Sequence, residues 1–397
     1  MSVTYPIGFR AAGMSAGLRP SGRPDLALLI GDPGTTVVGL FTTNRVAAAP
    51  VRYCKELLSA GRGRALVVNS GQANAATGER GDVDVRAAAA AAAAAIGVEP
   101  SDVLACSTGV IGEPLHLDVM IPALPKLAGT VSREGGPDFA RAIMTTDTVE
   151  KQATADAGAF RVGGCAKGVG MIAPNLATML VFVTTDAPVS RGDLRRLADE
   201  QLKPRFDSLT VDACTSTNDT VLLFASGAAG DTPITPTTSA WDALGGAIGE
   251  VGESLLRQLA ADAEGVTHVL LIDVDGAATE NDARQLAKAV ADSPLVKTAA
   301  FGGDPNPGRI LQAVGSSGVA VDPARIDIAI GAVLLVANGV IPPAYFEQES
   351  LAGAARVAMK EPEIRIHVSV GDGPGQSRAL GCDLSYEYVR INGEYTT

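Results

Sequence analysis

The chain has 397 residues, a formal net charge of −12, 46% hydrophobic but 4% aromatic residues, and 45 glycines. That length exceeds one ordinary core and predicts two or three packed domains, and the Gly- and Ala-rich, aromatic-poor balance suits closely packed α/β layers. The acidic charge, with no Lys/Arg run interleaved with aromatics, argues against a nucleic-acid partner. The absence of a long apolar window and of a leader-like start predicts a soluble, cytoplasmic chain with no membrane partner.

In chain order, the first pattern is Gly13-Met14-Ser15-Ala16-Gly17, which matches a nucleophile elbow. An elbow needs a strand before the serine and a helix after it. The reading here is that neither is present, because Arg19, Pro20, Gly22 and Pro24 forbid the helix. A strand is predicted over Leu66–Val68. A helix is predicted from Asp82 to Ile96, where Ala87 to Ala95 are nine consecutive alanines and Gly97 is the stop. Further on, Met179–Thr184 reads as a strand. Ser190 with Asp193 starts a second helix, whose Leu194, Leu197, Ala198 and Leu202 share one face.

The stretch from Gly230 to Ser239 reads as an exposed loop and Val269–Val274 as a strand. The Asp275-Gly276 turn is a candidate domain boundary, and Thr279 with Asp282 starts a third helix. Gly302 to Gly308 reads as a turn rather than a phosphate cradle. Ile326–Val336 reads as one β-rich run. Cys54, Cys106, Cys165, Cys214 and Cys382 are scattered, without CxxC spacing, as expected of reduced thiols buried as small apolar groups. His116, His268 and His367 are too dispersed to nominate a metal, so the expected mechanism uses no metal.

The chemistry concentrates in Lys167-Gly168-Val169-Gly170-Met171-Ile172-Ala173-Pro174-Asn175-Leu176-Ala177-Thr178-Met179-Leu180. A glycine-rich arm runs into a Pro-Asn turn and then into a threonine that opens an apolar strand. Such a segment can present the Ala177 carbonyl to the Thr178 hydroxyl, so that an N-to-O acyl shift followed by ester hydrolysis leaves Thr178 as a new amino terminus. A freed α-amine titrates at roughly 7.7 to 8.0 and can serve as general base for the adjacent hydroxyl. The residues alone favour an ordinary strand-opening threonine.

The same stretch resembles the self-processing segment of the ornithine acetyltransferase family, the bifunctional glutamate N-acetyltransferases of arginine biosynthesis. The likeness extends from GFRAAGMSAG through VNSGQANAATG, STGVIGEPL, MTTDT, TSTNDT and SPLVKTA to GCDLSYEYVRINGEYTT, essentially the whole chain. It implies cleavage between Ala177 and Thr178, with Thr178 as nucleophile, Thr108 and Gly109 as the oxyanion hole, and Thr145, Lys167, Thr178, Glu264, Asn392 and Thr397 as substrate contacts. A Thr hydroxyl beside an open Gly N–H can supply two converging donors to a tetrahedral oxyanion. The implied cycle moves acetyl from N2-acetylornithine to Thr178 and then to glutamate and needs no bound cofactor, with acetyl-CoA as a further donor in bifunctional members.

The implied architecture is an α/β (α+β) helix-sheet-sheet-helix sandwich with a smaller C-terminal domain. Residues 1–177 form an alpha chain, 178–275 the start of the beta chain and 276–397 the C-terminal domain. The two chains are expected to associate as a heterotetramer or larger. Three positions depart from the family pattern: Pro307 stands in place of a tryptophan, Ala263 of a glycine and His268 of a lysine. They leave open a paralogue with a different amino-acid acceptor; separately, because acyl-enzyme chemistry is common to both outcomes, an amidase- or aminopeptidase-type hydrolase that uses the same threonine is a further alternative.

Overall fold

The computed structural model describes residues 2–173, 179–347 and 349–394. The chain divides into two compact units. The first comprises the residues up to Asp207 together with Cys214–Leu259, and the second Ser208–Ala213 together with the chain from Ala260 onward.

The first unit contains β1 (Phe9–Met14), β2 (Leu26–Gly31), β3 (Thr36–Phe41), α1 (Ala49–Ser59), β4 (Ala65–Gln72), α2 (Gly78–Ile96), β5 (Val103–Val110), α3 (Leu117–Ala128), α4 (Gly136–Ala142), β6 (Lys151–Ala157), β7 (Phe160–Lys167), β8 (Leu180–Thr185), α5 (Arg191–Leu197), α6 (Lys203–Phe206), β9 (Thr220–Ala225) and most of α7 (Ala240–Ala261). Its strands form two sheets, ordered β1-β2-β4-β5 and β3-β9-β8-β7-β6. Alternation along the strands assigns their faces. Leu66 and Val68 of β4 and Leu104 and Cys106 of β5 share a core with Phe182 of β8 and Leu222 and Phe224 of β9. The opposite face of the first sheet, through Ala65, Val67, Val103 and Ala105, packs on α2 and α3.

The alanine run in α2 follows from this packing. Ala88, Ala89, Ala92 and Ala93 are buried against that sheet, and a methyl is the largest group that lets a helix axis lie so close. Gly97 ends α2 in the left-handed conformation, φ +72°, as a residue without Cβ can. The helix begins one turn before the expected Asp82, because its first turn carries no apolar residue to betray the period. Ser190 caps α5 by accepting from the Asp193 N–H, which bears out the start read from the sequence.

The second unit contains β10 (Val269–Gly276), α8 (Glu280–Asp292), α9 (Pro294–Phe301), α10 (Pro307–Gly315), β11 (Asp327–Ile330), β12 (Val333–Val336), α11 (Ala344–Glu347), α12 (Glu349–Ala358), β13 (Glu363–Ser369), β14 (Gly373–Cys382) and α13 (Tyr386–Glu394). One sheet, ordered β12-β11-β13-β10-β14, buries Leu270, Ile272, Val274, Ile364 and Ile366 against Leu286, Val290 and Ile310 of the helices. Thr279 caps α8 by accepting from the Asp282 N–H, at the position the sequence indicates.

Four expectations are corrected. Ile326–Val336 is not one strand: Gly331, at φ +57°, folds it into the antiparallel β11–β12 hairpin. The Asp275-Gly276 turn closes β10 inside the second unit, whose sheet holds β10 on both sides, and the division falls instead at Leu259/Ala260. Cys214 is exposed whereas the other four thiols are buried. A strand, β1, does lead to Ser15. No helix follows it, because the Asp25 carboxylate gathers the N–H groups of Ala16, Gly17 and Arg19 into a loop.

Candidate active site

Thr108 and Gly109 stand near the end of β5, which runs parallel to β4 with Thr108 opposite Ser70 and Gly109 opposite Gly71. Gly109 has φ +131°, and a Cβ added there would lie 2.2 Å from the Gly71 carbonyl oxygen. The pair of strands therefore admits no side chain at this point. The segment is tied down behind the pair: Ser107 Oγ donates to Asn69 Oδ1 at 2.6 Å, and Asn218 Nδ2 donates to the carbonyls of Ser107 (2.8 Å) and Ala73 (2.6 Å).

Lys167, the last residue of β7, is 2% exposed, not the solvated cation its residue type usually is. Its Nζ donates to Thr145 Oγ1 at 2.7 Å and to Thr108 Oγ1 at 3.2 Å. Three residues far apart in the sequence thus meet at one ammonium group, beside Gly109.

What keeps a cation there is Asp147, whose side chain is fully buried. Its Oδ1 accepts from Lys151 Nζ and the Gly168 N–H, both at 2.8 Å, and its Oδ2 accepts from the Thr145 N–H at 3.0 Å and lies 4.0 Å from Lys167 Nζ. Burial works against its charge, but the ammonium groups of Lys167 and Lys151, with these hydrogen bonds, hold the carboxyl down at about 2. Asp147 consequently orders Thr145, Gly168 and Lys167 together. It was not among the site residues read from the sequence; the signal for it was a carboxylate inside MTTDT, a motif otherwise free of charge.

Ala177 and Thr178 lie outside the described residues. The chain resumes at Met179, whose N–H donates to Asp219 Oδ1 at 3.0 Å and whose carbonyl accepts from the Thr220 N–H at 3.1 Å. Asp219 is completely buried, and burial pushes its carboxyl well above the usual range, opposed in part by the Met179 N–H and by Lys167. The strand predicted from Met179 is β8, paired parallel to β9 and antiparallel to β7.

In the second unit the structure joins two more of the predicted residues. Asn392 of α13 donates from Nδ2 to Glu264 Oε2 at 2.9 Å, and Glu264 is 9% exposed. The local geometry explains the pairing. Gly265, at φ +69°, approaches the backbone of α13 so closely that a Cβ would sit 2.4 Å from Tyr388 N. Ser385 Oγ donates to the Gly265 carbonyl at 2.6 Å, and Asp383 Oδ1 accepts from the Thr267 N–H at 2.9 Å. A buried carboxylate carrying an amide partner suits recognition of a substrate amine. Thr397 lies outside the described residues.

Among the described residues no group of three or more His, Cys, Asp or Glu is placed to hold a metal, and no helix is long and apolar enough to cross a membrane. An open groove of about 870 Å³ along β3, edged by Lys55, Arg191, Arg195 and Lys203, contains none of the residues above.

The arrangement of Thr108, Gly109, Thr145 and Lys167 can be set beside known proteins. A model of the ArgJ family matches residues 10–397. The chain belongs to the ArgJ family. It is 44% identical to the arginine biosynthesis bifunctional protein ArgJ of Thermosynechococcus vestitus, over 100% of this chain and 98% of that protein. It is likewise 44% identical to the ArgJ protein of Thermus thermophilus, over all of both chains. A solved ArgJ chain from Bacillus halodurans is 38% identical, with a TM-score of 0.50, and covers 54% of this chain and 98% of its own length.

Membership in the ArgJ family makes the chain an enzyme of arginine biosynthesis, an acyltransferase. The three departures noted in the sequence occupy ordinary structural places. Pro307 is the first residue of α10, where a missing N–H costs nothing. Ala263 is buried. His268 lies 2.9 Å from Thr267 Oγ1 and 3.4 Å from Asp383 Oδ2, so it belongs to the network that holds Gly265 near α13.

Proposed function

We propose that this ArgJ enzyme cuts itself between Ala177 and Thr178 and transfers acetyl from N2-acetyl-L-ornithine to L-glutamate through an acetyl ester on Thr178. The observation that carries the reading is the buried Lys167 ammonium, shared between Thr108 Oγ1 and Thr145 Oγ1 and steadied by Asp147. Such a cation suits the α-carboxylate that both amino-acid substrates carry.

In the first half-reaction Thr178 Oγ attacks the acetamide carbon, and its proton passes to the Thr178 amine. The oxyanion is met by the Thr108 hydroxyl and the Gly109 N–H. The amide C–N bond breaks, ornithine leaves with the proton, and the glutamate amine then attacks the ester to release N-acetylglutamate. Glu264 and Asn392 serve the amine side of these substrates, and Thr397 completes the contacts.

Residues 178–397 are 220 of the 397, about 55% of the chain, and the Bacillus halodurans chain, which covers 54%, is of the size such a cut leaves. The same reading includes fragments that stay associated in a heterotetramer or larger assembly, a cytoplasmic location, acetyl-CoA as a second donor, and a helix-sheet-sheet-helix order. The core shared by the two sheets of the first unit and the helices on the outer face of one of them support that order. The deciding experiment is an intact mass spectrum under denaturing conditions, with and without N-acetylornithine. Wild type gives two fragments, the second beginning at Thr178 and gaining one acetyl group. Thr178→Ala gives one unacetylated chain, and transfer activity in that variant would refute the assignment.

A further inference from the structure

The motif Thr215-Ser216-Thr217-Asn218-Asp219-Thr220 runs into β9, and two of its side chains have targets that the proposed chemistry makes significant. Asn218 is 6% exposed and Asp219 0%. Asn218 Nδ2 donates to the carbonyl of Ser107, at 2.8 Å, and of Ala73, at 2.6 Å. Ser107 immediately precedes Thr108. Asp219 Oδ1 accepts from the Met179 N–H at 3.0 Å, and that nitrogen belongs to the peptide bond joining Thr178 to Met179. Successive residues of an extended segment point to opposite sides. Two adjacent side chains can therefore hold two different strands.

We propose that Asn218 and Asp219 form a two-residue bracket that positions the nucleophile against the oxyanion hole. Asn218 fixes the strand end that carries Thr108 and Gly109, and Asp219 fixes the peptide that follows Thr178. Neither residue forms or breaks a bond in the reaction. Each acts through its neighbour, and the inference rests on the reading of Thr178 as nucleophile.

Further observations agree. The backbone repeats the tie made by the side chain: the Thr220 N–H donates to the Met179 carbonyl, and the Thr42 N–H to the Asp219 carbonyl. The two residues are thus fixed by bonds that do not depend on substrate. Burial favours the neutral form of the Asp219 carboxyl; Lys167 is the charged group acting on it, and the hydroxyls of Thr42 and Ser216 approach it. A neutral carboxyl that accepts a hydrogen bond is closely mimicked by an amide, which makes asparagine the natural rescue. Loss of the bond leaves the Met179 N–H without its Asp219 acceptor, and a misplacement of about 1 Å at a reacting group costs on the order of 100-fold in rate.

The test compares wild type, Asp219→Ala and Asp219→Asn for self-cleavage, for acetylation of the fragment beginning at Thr178, and for kcat and KM with glutamate. The expected result is a kcat lower by about 100-fold in Asp219→Ala with KM within about threefold of wild type, and recovery of most of that loss in Asp219→Asn. A merely structural residue would not separate kcat from KM in this way. Wild-type kcat in Asp219→Ala overturns the bracket. So does Asp219→Asn as impaired as alanine, since the missing property would then be charge and not the acceptor. If Asp219→Ala does not fold, Asp219→Glu replaces it: the acceptor is retained but displaced by one methylene, and undiminished turnover in that folded variant overturns the proposal. If wild type is itself neither cut nor acetylated at Thr178, the reading of the nucleophile fails. If it is both, and the alanine variant matches it, the bracket alone fails.

Discussion

Replacing Asp147 with asparagine removes the charge that holds Lys151 and Lys167 in place while leaving the residue's size unchanged. The lowering of this carboxyl from 3.8 to about 2 corresponds to roughly 2 to 3 kcal/mol of preference for the ionised form, at ~1.4 kcal/mol per pH unit. The side chain is fully buried, so no discount for solvent screening applies. The whole cost is larger, because asparagine keeps only one acceptor oxygen: whichever way it turns, either the Lys151 ammonium and the Gly168 N–H or the Thr145 N–H meets an NH2 group that cannot accept, and the cations stay behind. Breaking a buried ion pair by removing one partner costs about 3 to 5 kcal/mol.

For a unit of about 250 residues that predicts a fall in Tm of roughly 6 to 20 °C at pH 7. The sign of the pH dependence follows from the direction of the shift. A carboxyl lowered in the folded state contributes stability that is fully present above its unfolded value near 3.8 and is lost as pH falls through about 2. Urea titrations of both proteins at a series of pH values should therefore show a constant gap above about pH 4 that narrows on further acidification. A gap under ~1 kcal/mol at pH 7, the range of an exposed pair, would refute the account of Asp147 as the anchor of the site. A gap unchanged between pH 4 and 2 would refute the ionic part of it.

Thr108→Val keeps the shape of β5 but removes one oxyanion donor, and should lower kcat by about 100- to 1000-fold; a rate of acetylation equal to wild type, measured by quenched-flow mass spectrometry, would remove Thr108 from the oxyanion hole. Asn392→Ala leaves Glu264 buried without its 2.9 Å amide partner, and should raise KM for the amino-acid substrates about tenfold, from the ~1.5 kcal/mol worth of a hydrogen bond to a charged group. Unaltered KM values for N2-acetylornithine and glutamate in steady-state assays would show that the pair serves packing alone.

The fold was legible where local chemistry determines it. Ser190 and Thr279 announce caps because each hydroxyl stands three residues before an aspartate at the start of a helix-period apolar pattern, and both caps are formed. The alanine run announces α2 by propensity. What failed to show was whatever depends on a partner strand. Gly331 lies inside a run dominated by Ile, Val and Leu, and a single glycine in such a run cannot be told from a bulge until its hairpin partner is known. The strand before Ser15 was hidden for a similar reason. FRAAGM has no clean alternation, and its pairing with β2 from Phe9–Gly31 to Met14–Leu26 supplies the order that the local sequence lacks.

For the site, the resemblance nominates candidate substrate contacts but is silent on what holds them. Lys167 by itself carries no sign of burial. Its ammonium can be buried because Asp147, brought close by the path from α4 to β6, meets it and Lys151 at once. That compensation is a property of three residues and a fold, so it cannot be read from any one position. Motif reading therefore favours groups whose chemistry is visible, a threonine or a glutamate, over carboxyls whose function is to accept backbone N–H bonds. Asp147 and Asp219 lie within the motifs MTTDT and TSTNDT, and each is buried and accepts a backbone N–H at or next to a candidate catalytic or binding residue. A charged residue that recurs in an uncharged motif at the mouth of a strand has a desolvation cost to meet. In this chain Asp147 meets that cost with two ammonium groups and stays charged, whereas burial pushes Asp219 toward its neutral form, which still accepts the Met179 N–H.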